Sequence, residues 1–291
     1  MSFYLLCLAA LPLLFFVLMH IGFKAPRIIS AEGAPDQLGM KYRQVEIPAK
    51  KGNKLFGWVL QASPEPDAPF LVVVHGWGAN AELMLPLAEP FYRAGVNVLL
   101  FDARNHGRSP SDGHSSMPKF AEDAGCAIDW LIKENERRAE PGSGSRKIAL
   151  LGHSVGAAAA LLTASRRDDI DAVISISSFA HPRWLMTRQL RRFYIPRPLI
   201  ALMLCYVQLV IGHRFDDIAP VSTLRRIKCP VLLVHGLADE TIPVSCLEDI
   251  RRSNPEREPK IMLIPDAGHA SVDKIRSHGD ELVLFLKQAG F

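Results

Sequence analysis

The sequence is poor in cysteine and has no strong excess of either charge. Its five cysteines are an odd number in 291 residues, and no two of them have CxxC spacing. A disulfide framework and a bound metal are therefore not expected. Thirty-four basic and 30 acidic residues give a net charge of +4, which does not indicate a nucleic-acid partner.

The N-terminus carries the longest uncharged run, FYLLCLAALPLLFFVLM, with no basic residue before it. About 20 such residues span a bilayer as a helix. We predict a transmembrane anchor over residues 1–23 and a linker over 24–40; a cleaved signal peptide and a buried or interfacial helix are alternatives. Basic residues follow the run, which places the rest of the chain on the cytoplasmic side: Lys24, Arg27, Lys41 and Arg43.

Beyond the linker, strand-like and helix-like segments alternate. Apolar, β-branched runs predict strands at 43–49, 54–62, 69–76, 96–102, 147–154, 171–177, 229–236 and 260–266. Helices are predicted at 80–94, 117–138, 155–166, 243–253 and 273–289. This alternation predicts an α/β domain over 41–291, with a mostly parallel sheet covered by helices on both faces. Residues 180–218 are too long for an ordinary connection and predict an inserted helical cap.

A serine lies between two glycines where one of these strands meets the next helix. Residues 152–156 read GHSVG, which is the G-x-S-x-G pattern, and four alanines follow. Small residues on both sides allow a turn so sharp that Ser154 projects alone above the sheet. The alternative is an ordinary glycine-rich turn.

A serine hydroxyl is a poor nucleophile without a base, so a histidine partner is expected. His269, in the loop DAGHAS after the last predicted strand, is the candidate among ten histidines, and His153 is expected to point away. Asp239 is the candidate carboxylate that orients the histidine. Weaker candidates for that carboxylate are Glu240 and Asp266.

Two backbone N–H groups are expected near the serine, where they would stabilise a negatively charged oxygen. One is the amide of Val155, directly after the serine. The other is the amide of Trp77 in the loop HGWGAN, where Gly76 and Gly78 let the backbone come close. A simple glycine turn with a core tryptophan is the alternative.

The segments HGWGAN, FDARNHGRS, GHSVG, HGLADETIP and DAGH together resemble the α/β-hydrolase superfamily, in its serine esterase, lipase and peptidase branch. The resemblance covers residues 43–291. It implies a catalytic triad of Ser154, Asp239 and His269, in the chain order that this fold uses. It also implies a structural role for Asp102 and Arg104. The loop reads HGWG rather than the HGGG of some esterases, which argues against their bulky ester substrates.

The predicted cap interleaves arginines with apolar residues, and residues 199–211 are apolar apart from Gln208. Three interpretations stay open: a lid that lies on an anionic membrane, a packed cap helix with a solvated arginine face, and a holder for a phosphorylated substrate such as an acyl thioester of coenzyme A. The arginines are Arg183, Arg188, Arg191, Arg192 and Arg197.

The anchor and the apolar cap favour an ester hydrolase for acyl lipids or similar apolar esters, working through an acyl-enzyme on Ser154 without a cofactor. A serine peptidase is an alternative, although it would need acidic residues in the cap to hold the substrate amine. An acyl thioesterase, an acyltransferase and a non-catalytic, membrane-tethered binding protein are the others. Chain length, headgroup, membrane face and oligomeric state stay open.

Overall fold

The computed structural model describes residues 25–28, 33–65, 67–138 and 146–291. The predicted anchor over residues 1–23 lies outside this part of the chain. Among the residues that the structure describes, no helix has both the length and the apolar character needed to cross a membrane.

Eight strands form one mixed sheet in the order β1-β2-β4-β3-β5-β6-β7-β8. β2 is antiparallel to both of its neighbours, β1 and β4. The other neighbouring strands are parallel to each other, in the order β4, β3, β5, β6, β7 and β8. All eight lie where the apolar runs predict them. Their bounds are β1 (Tyr42–Pro48), β2 (Lys54–Leu60), β3 (Phe70–Val74), β4 (Asn97–Phe101), β5 (Ile148–His153), β6 (Ala172–Ile176), β7 (Val231–Gly236) and β8 (Lys260–Ile264).

Helices cover both faces of the sheet, as the alternation predicts. The central strands β3 to β7 are buried at every position, because apolar side chains from the two helical layers pack on each side. The helices are α1 (Leu85–Arg93), α2 (Met117–Arg138), α3 (Val155–Ala164), α4 (Pro182–Arg191), α5 (Arg197–Ile211), α6 (Phe215–Ile218), α7 (Pro220–Thr223), α8 (Ser245–Arg252), α9 (Val272–Arg276) and α10 (Gly279–Gln288).

One helix expectation is wrong: residues 273–289 form two helices, α9 and α10, rather than one. The chain packs closely against α1 where the second helix begins. A Cβ on Gly279 would lie 2.4 Å from Cγ of Pro90. A glycine at the break permits this close packing.

The cap consists of α4, α5 and α6, and a hydrogen bond joins its two ends. His181 donates from Nε2 to Oδ1 of Asp216 at 2.9 Å, and its Nδ1 accepts from the amide of Arg183 at 3.1 Å. Burial lowers the pKa of His181 in spite of the nearby Asp216 carboxylate. The inner face of α5 packs on the domain through residues at helical spacing, namely Ile200, Met203, Leu204 and Val207.

Candidate active site

Ser154 occupies the turn between β5 and α3 in a backbone conformation that few non-glycine residues adopt. Its φ is 56° and its ψ is −119°. Its amide donates to the carbonyl of Ile176 at 2.9 Å, which holds the turn against β6. A Cβ on Gly152 would lie 2.2 Å from the carbonyl oxygen of Gly156, and one on Gly156 would lie 2.2 Å from that of Val74. The two glycines are therefore required by lack of space.

We expect Gly156→Ala to lower the free energy of unfolding by about 3 kcal/mol or more, because the added methyl group meets backbone atoms that cannot rotate away. Gly125→Ala is the matched control. Gly125 lies in α2, where an added Cβ would come no closer than 4.0 Å to another residue. Since alanine favours a helix over glycine, this variant should gain about 0.5–1 kcal/mol. Urea denaturation measures the free energy of unfolding of both variants. If the two variants were equally stable, the glycine at position 156 would not be required by lack of space.

The structure brings together the three side chains that the sequence singles out. Nε2 of His269 lies 2.9 Å from Oγ of Ser154, and Nδ1 of the same ring lies 2.8 Å from Oδ2 of Asp239. This geometry fits a serine hydroxyl that donates to Nε2 and an Nδ1–H that donates to the carboxylate. The arrangement can remove a proton from the serine oxygen when that oxygen attacks a carbonyl carbon.

The carboxylate of Asp239 is held by two backbone amides besides the histidine. Its Oδ1 accepts from Thr241 at 2.9 Å and from Ile242 at 2.8 Å. Burial alone would raise the pKa of Asp239, but the hydrogen bonds from His269 and from Ile242 outweigh it and hold the pKa below its ordinary value. Asp239 is therefore ionised at neutral pH and can stabilise an imidazolium.

The loops that carry Asp239 and His269 are tied to each other. The amide of Leu237 donates to the carbonyl of Ile264 at 2.9 Å, and that of Ala238 donates to Ala267 at 3.1 Å. A Cβ on Gly236 would lie only 2.1 Å from the Ala267 oxygen. This close approach at the carboxyl ends of β7 and β8 places the aspartate against the histidine.

His153 does not point away from the site, so that expectation is wrong. Its Nε2 lies 2.8 Å from the backbone oxygen of His269, and the two ring centroids are 5.3 Å apart. Burial lowers the pKa of His153 to about 4, so the ring is neutral and donates this hydrogen bond.

The loop after β3, which contains Trp77, lies against the serine. A Cβ on Gly76 would lie 3.2 Å from Cβ of Ser154. Within the described residues, the amides of Trp77 and Val155 donate to no other group.

His75, which was not predicted as a site residue, fixes the direction of this loop. Its Nε2 accepts from the amide of Ala103 at 2.9 Å, so the proton is on Nδ1, which donates to the carbonyl of Gly76 at 2.7 Å. Burial lowers the pKa of His75 to about 4. Because C=O and N–H point in opposite directions across a trans peptide, holding the Gly76 oxygen also sets the direction of the Trp77 N–H. The only sequence signal was a histidine at a strand end.

Asp102 and Arg104 hold loops together away from the reacting groups, which agrees with their expected structural role. Asp102 accepts from the amides of Ala81 and Arg108, each at 2.7 Å. Arg104 donates to Asp123 from its amide and from Nε, each at 2.8 Å.

Two cavities meet at Ser154, His269 and Trp77. The cap cavity, about 440 Å³, lies under the cap and has an apolar wall formed by Phe179, Leu185, Met186, Val207, Phe215 and Ile218. The side cavity, about 580 Å³, lies on the other side and is lined by Gln37, Leu38, Glu82, Leu83, Pro86 and Asp273. A molecule with two unlike halves can therefore lie across the serine.

Solved structures share the fold. The esterase Pf2001 of Pyrococcus furiosus matches with a TM-score of 0.72 and 24% identity, over 92% of this chain and 97% of that one. Est1E of Butyrivibrio proteoclasticus, solved with ferulic acid bound, matches with a TM-score of 0.62 and 19% identity, over 82% of this chain and 98% of that one.

Sequence relatives cover most of the chain. The protein YfhR of Escherichia coli K12 is 31% identical over 242 residues, which are 81% of this chain and 76% of that one. YNL320W of Saccharomyces cerevisiae, named a membrane protein, is 25% identical over 259 residues, 88% of this chain and 84% of that one. The Hydrolase_4 family model, described as serine aminopeptidase S33, matches residues 65–212. The chain therefore belongs to the Hydrolase_4 family and is an α/β hydrolase.

Proposed function

We propose that the protein is a serine hydrolase that cleaves carboxylic esters with apolar acyl groups, such as acyl lipids. The observation that carries the proposal is the chain of two hydrogen bonds from Ser154 through His269 to Asp239. A solvated serine has no such base, and an ionised carboxylate behind the histidine keeps the base in the required tautomer.

In the proposed mechanism, Oγ of Ser154 attacks the ester carbonyl carbon while Nε2 of His269 takes its proton. The negative oxygen of the tetrahedral intermediate accepts from the amides of Trp77 and Val155. His269 then protonates the departing alcohol, and an acyl-enzyme remains on Ser154. A water molecule, deprotonated by His269, attacks this ester and releases the acid.

The apolar wall of the cap cavity supports an acyl chain as the group bound there. Val155, whose amide would hold the negative oxygen, lines the same cavity, and the wall contains no charged side chain among the described residues. Burying each methylene of a chain contributes about 0.8 kcal/mol. The fold neighbour Pf2001, which is named an esterase, agrees with ester chemistry.

We expect kcat/KM on p-nitrophenyl esters to rise from acetate to octanoate by up to about fourfold per methylene until the cavity is filled. Val207→Phe should narrow the cavity and shift the optimum to shorter chains. Leu209→Phe is the matched control, since Val207 faces the cavity and Leu209 is 77% exposed on the same helix. The acyl chain would not be the group bound in the cap cavity if the chain-length optimum did not move in Val207→Phe, or if it moved equally in both variants.

A serine aminopeptidase is the second candidate, favoured by the description of the matching family and by two carboxylates. Glu82 and Asp273 line the side cavity, where they could hold a substrate amine, although the cap offers no acidic residue before Asp216. Leucine p-nitroanilide measured beside the p-nitrophenyl esters separates the two. If kcat/KM were larger on the anilide than on the esters, and if Glu82→Gln abolished the anilide activity, the aminopeptidase would replace the esterase as the proposed function.

We propose further that residues 1–23 anchor the chain in a membrane with the hydrolase domain on the cytoplasmic side. The uncharged run in the sequence and the membrane-protein name of the yeast relative support this.

A further inference from the structure

The outer face of helix α5 is apolar although nothing in the described chain covers it. Its inner face is buried on the domain, so the helix is apolar on both sides. Such a helix is ordinarily buried all round. The outward residues are Leu199, Leu202, Cys205 and Leu209, and all four are exposed.

The turn between α4 and α5 adds two large aromatic side chains to this face. Phe193 is 76% exposed and Tyr194 is 94% exposed. Tyr194 has a φ of 56°, which reverses the chain between the helices. Trp184, on α4, is also exposed. Exposed apolar side chains grouped in this way indicate a binding surface.

Positive charge is concentrated in the same segment. Residues 172–215 contain six arginines and no other charged residue, so this stretch carries +6 and the rest of the chain carries −2 of the total +4. Five of the six are exposed: Arg183, Arg191, Arg192, Arg197 and Arg214. None of these five forms an ion pair with a carboxylate in the described part of the chain.

The chain enters the domain at the edge of the sheet that bears the cap. A Cβ on Gly78, in the loop after β3, would lie 2.9 Å from Cγ of Pro26, and Asn80 donates to the carbonyl of Ile28 at 3.2 Å. The cap leaves the sheet after β6, at the same carboxyl edge. A membrane reached by the segment before Pro26 would therefore lie next to the cap.

We propose that this cap face, formed by residues 183–214, docks on the surface of an anionic phospholipid bilayer. The arginines contact phosphate headgroups, and the aromatic and leucine side chains enter the interfacial layer, where such residues partition. An acidic protein surface would match the arginines but leave the leucine row unexplained. The proposal rests on the exposed surface of the cap and is independent of the reaction at Ser154.

The test uses the full-length chain with Cys7→Ser and Ser154→Ala, labelled with the fluorophore NBD. Cys205 is the exposed thiol among the described cysteines and lies on the cap face itself. NBD emission at Cys205 should shift to the blue and brighten with vesicles of phosphatidylcholine and phosphatidylglycerol, and much less with phosphatidylcholine alone. Because the probe is on the cap and the catalytic serine is absent, the NBD emission reports contact between the cap face and lipid. A chain held only by its N-terminal segment, with the cap in water, would leave the emission unchanged.

A variant that combines Arg191→Ala, Arg192→Ala and Arg197→Ala should lower the equilibrium constant for contact between the cap and the bilayer, read from the NBD emission, on the order of a hundredfold. Each basic residue near such a surface contributes a factor of about five. A control variant combines Lys228→Ala, Arg257→Ala and Lys260→Ala. It removes the same charge at the opposite edge of the sheet and should change the contact between the cap and the bilayer little. Thermal melts followed by circular dichroism show whether both variants fold. A Cys205→Ser variant, labelled in the same way, measures the NBD signal that comes from the other cysteines.

Three outcomes would overturn the proposal. In the first, NBD emission is unchanged by any vesicle. In the second, the two charge variants lose binding equally. In the third, emission is already blue-shifted without lipid and insensitive to it, which would mean that a protein surface covers the cap face.

Discussion

Ser154→Ala is expected to lower kcat on any accepted ester by about a thousandfold or more, because only the backbone amides and substrate binding then remain to accelerate the reaction. The variant should also lose labelling by a fluorescent fluorophosphonate. The expectation follows from the 2.9 Å separation between Oγ of Ser154 and Nε2 of His269, which makes this hydroxyl the one next to the base.

Ser177→Ala is the matched control for that experiment. Ser177 follows β6 as Ser154 follows β5, is fully buried, and also has a positive φ, 53°. Its hydroxyl has no hydrogen-bond partner among the described residues. The control should keep kcat within severalfold and keep its fluorophosphonate label. A folded Ser154→Ala variant with near-normal turnover would show that another group is the nucleophile.

Asp239→Asn should lower kcat by about 10³- to 10⁴-fold while the fold is kept. The asparagine can still accept from the amides of Thr241 and Ile242 through its oxygen, so its NH2 group faces the imidazole. Nδ1 of His269 must then accept, which puts the ring proton on Nε2. An Nε2 that already carries a proton cannot take one from Ser154.

Asp266→Asn separates this effect from a general loss of nearby charge. Asp266 is closer to His269 in sequence than Asp239 is, but its side chain is exposed and makes no hydrogen bond to a described residue. We expect less than a severalfold change in kcat. Steady-state kinetics on one soluble ester ranks the two variants, and a larger loss in Asp266→Asn would reassign the acid.

Local sequence patterns were sufficient for the strands and for selecting Ser154, His269 and Asp239, whose side chains the structure brings together. Apolar runs that end in glycine mark buried strands, and parallel strands bring their carboxyl ends to one edge, so residues just after β5, β7 and β8 meet there. Orientation at strand ends was harder. His153 was misassigned because its ring is placed by a contact with a distant segment: it ends β5 and bonds to the backbone oxygen of His269, in the loop after β8.

The roles that sequence could not indicate depend on contacts between distant segments. His75 holds the Gly76 carbonyl only because Ala103, in the loop after β4, donates to its other nitrogen. The side cavity likewise forms where Gln37 and Leu38, inside the predicted linker, come next to Leu83 and Pro86. No pattern within either segment encodes that the two will be neighbours.

The meeting of two cavities at Ser154 has a consequence for what the acyl-enzyme becomes. If the cap cavity retains the acyl chain, the side cavity is vacated when the first alcohol leaves, while the activated ester remains beside it. Whichever nucleophile next occupies that space, water or another alcohol, takes the acyl group. In the proposed mechanism, the balance between hydrolysis and acyl transfer would then be set by competition for the side cavity, since the same three residues would perform both reactions.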